Sequence, residues 1–111
     1  MTRLSGMDCV ACRGTEPVLS AAQISELMPQ IPGWRVTELA GIPRLERVFQ
    51  LKDFAEAIAL TDKIARLAEE QHHHPLIITE YGRVTVQWWS HKIRGLHQND
   101  FIMAAKTDKL A

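Results

Sequence analysis

Apolar residues recur at two different periods along the chain, and the places where the period switches mark its elements. Ser20 with Gln23 fits a capping box, and Ile24, Leu27 and Met28 follow at helical spacing. A short helix over 21–29 is predicted, stopped by Pro29 and Pro32. Trp34, Val36 and Leu39 predict a strand. After a turn at Gly41–Pro43, LERVFQL sets Leu45, Arg47, Phe49 and Leu51 against Glu46, Val48 and Gln50, which predicts the second arm of a hairpin. Phe54, Ala57, Ile58, Thr61, Ile64, Ala65 and Ala68 then step by three and four, so a helix is expected over about 53–70 with Asp53 as its cap. Pro75 disfavours helical geometry at His74 and ends that period. LIITEY and RVTVQWWS flank Gly82 as a second hairpin, and Phe101, Ile102 and Ala105 mark a terminal helix.

The resulting order is α-β-β-α-β-β-α, an α+β fold. Two sequential hairpins imply a four-stranded antiparallel sheet with three helices on one face, leaving the other face for water or a partner subunit. Parity puts Trp88 with Val84 and Val86 in the core. Trp89 falls on the opposite face with Thr85, Gln87 and His91, as a wall of a site or a subunit contact. Residues 1–17 carry no sustained period and are expected to be an irregular tail before a domain at 18–111.

With 111 residues there is room for one domain, and a folded surface of roughly 6,200 Å² would leave about two thirds of the extended chain's surface buried. Apolar residues at 46% and charged residues at 23% exclude a disordered chain. Thirteen cationic residues balance thirteen anionic ones, so composition supplies no cationic face and nucleic acid is not an expected partner. No apolar run is long enough for a bilayer, and no secretory segment opens the chain, so a cytoplasmic protein without a membrane partner is expected. Cys9 and Cys12 form a single C-x-x-C, which alone can be half a zinc site, a redox pair or incidental.

Histidine is the unusual feature. Four of the five lie at positions 72, 73, 74 and 91, and His97 follows shortly after. In an extended segment neighbours alternate sides, so at most two of the triplet should share a site with His91. A solvated polar turn is one reading of the run. Zinc is another, although no carboxylate sits at a familiar ligand interval, and no metal is expected. Unmetallated imidazole moves protons near neutral pH, and two rings flanking a substrate could donate one proton and accept another, as loss of water requires. That chemistry needs no nucleophile and no cofactor.

EEQHHHP at 69–75, Tyr81, WWSH at 88–91, GL at 95–96 and ND at 99–100, with FQLKDFAEAIALTDKIARLAEE upstream, together resemble the pterin-4a-carbinolamine dehydratases over about residues 20–108. The resemblance implies dehydration of a 4a-hydroxy-tetrahydropterin to the quinonoid dihydropterin. It implies His73, His74 and His91 as the active-site histidines, with Pro75 and the Ser90, Lys92 and Ile93 stretch beside the pterin and His72 outside the set. His73 and His91 are then expected as acids toward hydroxyls on opposite ring faces, with His74 orienting the pterin and available to accept a proton. Glu69 and Asp100 match acidic positions that could orient an imidazole, or could serve only a helix end and a helix dipole. His97 departs from the pattern, because Ser or Thr is the more usual helix cap there. Relatives of this kind form homodimers or homotetramers, here through the open sheet face with Leu60 and Leu67. They serve an aromatic amino acid hydroxylase, or act without catalysis as binding and assembly partners.

Overall fold

The computed structural model describes residues 3–10 and 13–111. Its order is α1 (Ala21–Leu27), β1 (Arg35–Leu39), β2 (Ile42–Gln50), α2 (Phe54–Gln71), β3 (Leu76–Glu80), β4 (Arg83–Trp88) and α3 (Gln98–Asp108). The strands form one antiparallel sheet in the order β1-β2-β4-β3, so the two hairpins lie side by side with β2 against β4.

Local chemistry sets the boundaries. The Ser20 hydroxyl accepts from the Gln23 N–H while the Gln23 side chain accepts from the Ser20 N–H, a reciprocal cap that starts α1. Helix α1 ends at Leu27, and Met28–Gln30 continue as one 3-10 turn because Pro29 cannot extend an α-helical ladder. In the first hairpin the turn lies at Ala40–Gly41, both at positive φ, and Leu39 faces Ile42. Pro43, expected in the turn, belongs to β2 opposite Glu38. In a two-residue hairpin the pair next to the closing one makes no ladder bonds, so the missing N–H of Pro43 leaves the pairing intact.

The Asp53 carboxylate caps α2 by accepting from Glu56 N–H at 2.8 Å. The stripe of α2 that faces the sheet is Ala57, Leu60, Ile64 and Ala68. This corrects the expected stripe: Phe54 and Ile58 are exposed, and Leu60, expected at a subunit contact, is buried. The two stripes lie side by side on the helix, and the small residues Ala57 and Ala68 let the Leu60 side bed closest to the sheet.

Leu45, Phe49, Val84, Val86 and Trp88 supply the sheet's half of the core, and Phe101, Ile102, Met103 and Ala104 the half from α3. Trp88 is fully buried, and its indole N–H donates to Thr107 Oγ1 at 3.2 Å. The Asp108 carboxylate accepts from Trp34 Nε1 and from Arg47 Nη1, tying the end of α3 to the first hairpin. The N-terminal stretch is irregular apart from a 3-10 turn at Leu4–Gly6, yet it is packed down. Leu4 is buried in the core and Lys106 Nζ donates to the Ser5 carbonyl. One anchoring leucine has no periodicity, which is why the sequence reading placed this stretch outside the folded unit. Cys12 lies outside the described residues.

Candidate active site

The histidine run occupies the turn from α2 to β3. His72 takes the left-handed conformation at φ 54° and closes α2, its N–H bonded to the Ala68 and Glu69 carbonyls. β3 begins only at Leu76, so strand alternation does not govern the triplet. This revises the expectation that one member must turn away: His72, His73 and His74 all line one cavity of about 560 Å³. That volume suits a small organic ligand.

His91 reaches the same cavity from just beyond β4, the other arm of the hairpin that the histidine run leads into. Ser90 and Gly95 close a small loop with Ser90 N–H to Gly95 O at 2.9 Å, and His91 and Lys92 stand on its cavity side. The Val18 side chain packs on Gly95, where a Cβ would lie 2.6 Å from Val18 Cγ1 and push that side chain aside.

Each imidazole has its own support. His73 is mostly buried, stacks parallel to Trp88 with centroids 5.8 Å apart, and bonds through Nε2 to Asp100 Oδ1 at 2.6 Å. Asp100 is fully buried, and its other oxygen accepts from Ser90 Oγ–H and His97 N–H, each at 2.9 Å. A carboxylate only accepts, so in the neutral ring the proton sits on Nε2 and Nδ1 presents a lone pair. Both readings of Asp100 are therefore realised, because the same group supports an imidazole and completes the cap of α3. His97 fills the cap position with its ring: Nδ1 accepts from Asn99 N–H at 3.0 Å, replacing the usual hydroxyl.

His74 is exposed and bonds through Nε2 to the exposed Glu69. The bond to His74 holds the Glu69 carboxyl below its usual range, with a smaller contribution from the charge of His74. His91 stacks on Trp89 with centroids 4.3 Å apart, and the buried Arg44 guanidinium lies 3.8 Å from the Trp89 ring centroid on the way to Gln87 and Glu46. Trp89 therefore backs His91 from the open sheet face and does not line the cavity.

Ser90, His91 and Lys92 line the cavity, and Pro75 and Ile93 are outside its lining. Five further residues were not assigned to the site from the sequence: Cys9, Val10, Gln71 and Asn99 in the cavity wall, and Arg44 behind Trp89. Position next to the motif residues His72 and Asp100 could have flagged Gln71 and Asn99. Nothing local flags Cys9, Val10 or Arg44. Burial, then the charge of Asp100, pushes the Cys9 thiol up to about 11, so it is neutral at physiological pH.

Comparison with known proteins agrees with this geometry. The family profile described as pterin 4 alpha carbinolamine dehydratase matches residues 17–110. A protein of Nitrosococcus oceani that carries the provisional name pterin-4-alpha-carbinolamine dehydratase is 58% identical over 110 residues, covering 99% of this chain and 97% of its own. One from Gloeobacter violaceus, provisionally named for the same dehydratase, is 56% identical over 108 residues, covering 97% of this chain and 93% of its own. Among solved structures, a transcriptional coactivator/pterin dehydratase from Brucella melitensis superposes with a TM-score of 0.77 at 29% identity, covering 86% of this chain and 99% of that one. A pterin dehydratase-like protein identified as a RuBisCO assembly factor in the alpha-carboxysome gives 0.60 at 26% identity, covering 71% and 89%.

Proposed function

This chain belongs to the pterin 4 alpha carbinolamine dehydratase family, and from that premise we propose that it removes water from a 4a-hydroxy-tetrahydropterin to give the quinonoid dihydropterin, as part of tetrahydropterin recycling. The observation that carries this reading is that His73, His74 and His91, from two separate chain segments, line one cavity of suitable size.

In the reaction the carbinol hydroxyl leaves with a proton from an acid. The adjacent ring nitrogen closes a C=N bond with its lone pair and gives its own proton to a base, so one water is lost in all. His91 and His73 serve as acids for hydroxyls on opposite faces of the ring, His73 in its doubly protonated form, in which Nε2–H stays on Asp100 and Nδ1 carries the proton that is given up. Asp100 fixes the orientation and tautomer of His73, and the stack on Trp89 fixes the plane of His91. His74 accepts the nitrogen proton, and Glu69 offsets the positive charge that then appears on its ring. Lys92 and Ser90 supply polar contacts at the cavity edge.

Stopped-flow decay of a synthetic 4a-hydroxy-tetrahydropterin tests the reading. The protein should accelerate decay, and His74→Ala and His91→Ala should each lose about a hundredfold or more in rate, as removal of a general acid or base does. Near-normal turnover in both variants would refute the histidine assignment. The kinship with a RuBisCO assembly factor supports a second reading, a binding or assembly role on the same fold. Absence of any acceleration by the intact protein would favour it.

We further propose self-association through the open sheet face, where Leu76, Ile78 and Val48 are exposed.

A further inference from the structure

Part of the cavity wall is built by residues that precede the matched segment. Cys9 and Val10 line the cavity, and both are held there by side chains that line it too. Asn99 is 2% exposed and uses both ends of its amide on the main chain of Val10: Oδ1 accepts from Val10 N–H at 3.0 Å and Nδ2 donates to Val10 O at 2.7 Å. Gln71 holds the preceding residues with one main-chain and one side-chain bond: Oε1 accepts from Cys9 N–H at 2.8 Å and Nε2 donates to the Asp8 carboxylate at 3.1 Å. The two side-chain amides thus satisfy three main-chain groups of this stretch, the N–H of Cys9 and the N–H and C=O of Val10. Gln71 adjoins His72 and Asn99 adjoins Asp100, so the clamp is built on the same two helix ends that carry the histidine site.

Ordering an irregular stretch costs conformational entropy, and a buried amide devoted to it is unavailable to the core. The surfaces presented are apolar. Val10 is 63% exposed, and the Cys9 thiol stays neutral.

We propose that Cys9–Val10 is a substrate-binding wall, clamped by Asn99 and Gln71 as positioning residues, which takes the apolar surface of the pterin bicycle against Val10. This rests on the dehydratase reading for the identity of the ligand. The wall contributes binding shared by the ground and transition states, so its loss raises KM and leaves kcat nearly unchanged.

The test compares the full chain with Val10→Ala, Val10→Asp and Asn99→Ala in stopped-flow turnover and in fluorescence titration with biopterin, which the protein cannot dehydrate. Val10 is exposed, so its variants should melt like the parent. Val10→Ala should raise KM and the biopterin Kd by roughly fivefold, in line with the apolar surface withdrawn from contact. Val10→Asp and Asn99→Ala should raise both by at least as much, with kcat within about twofold. Unchanged KM and Kd in all three, or equal losses in kcat with KM constant, would overturn the wall. An intact protein that binds biopterin without turnover would sink the dehydratase reading while the Kd comparison still decides the wall. No biopterin binding at all would overturn both.

Discussion

Asp100 joins three parts of the site at one side chain: the ring of His73, the hydroxyl of Ser90 and the backbone of His97 at the start of α3. A fully buried carboxylate is tolerable only with such a set of donors. Asp100→Asn keeps the shape but replaces one acceptor with a donor that faces another donor, and it releases the tautomer of His73. Steady-state kinetics should show kcat lower by about a hundredfold with KM little changed, the signature of a misplaced acid–base group. Chemical denaturation should show a loss of about 1–3 kcal/mol from the unsatisfied buried group. Stability lost with kcat intact would leave Asp100 a helix cap alone. The histidines and this aspartate were legible in the sequence because their spacing matches a known motif. Arg44, Asn99 and Gln71 were not, because each acts on a partner far away in the chain, such as Asn99 on Val10.

At the level of elements, α2 separates what periodicity can and cannot say. Steps of three and four revealed the helix and its capping Asp53, but two adjacent stripes satisfy the same steps. Which one packs depends on where the sheet lies. Leu60→Ala should cost about 2–4 kcal/mol because it opens a cavity against the sheet, while Ile58→Ala on the exposed stripe should cost under about 1 kcal/mol. Urea titrations of the two variants check this, and equal losses would restore the stripe expected from sequence. The first hairpin carries the same lesson: Pro43 marked a turn by its chemistry, but the positive φ values of Ala40 and Gly41 put the reversal one step earlier.

For the molecule as a whole, the sheet has one face under helices and one face bare. The bare face sets Val48 opposite Thr85, and Thr85 opposite Ile78, across three strands. Exposed apolar residues grouped on one bare face, here Val48, Ile78 and Leu76, commonly mark a contact surface. The intact protein should sediment as a dimer or tetramer, and Val48→Glu with Ile78→Glu should shift it toward monomer while far-UV circular dichroism stays unchanged. An unaltered oligomer would place the contact elsewhere, with the exposed stripe of Phe54 and Ile58 next to test. Among the described residues no helix is long and apolar enough to cross a membrane.

The order of the elements, the caps of α1 and α2, the buried place of Trp88 and the histidine motif were all determined by the sequence alone, because each rests on spacing within one segment. Tertiary structure decided which stripe of α2 is inside, that all three clustered histidines line the cavity, and that Cys9 and Val10 line it with them. Those features depend on where distant segments meet, and local periods carry no record of that distance.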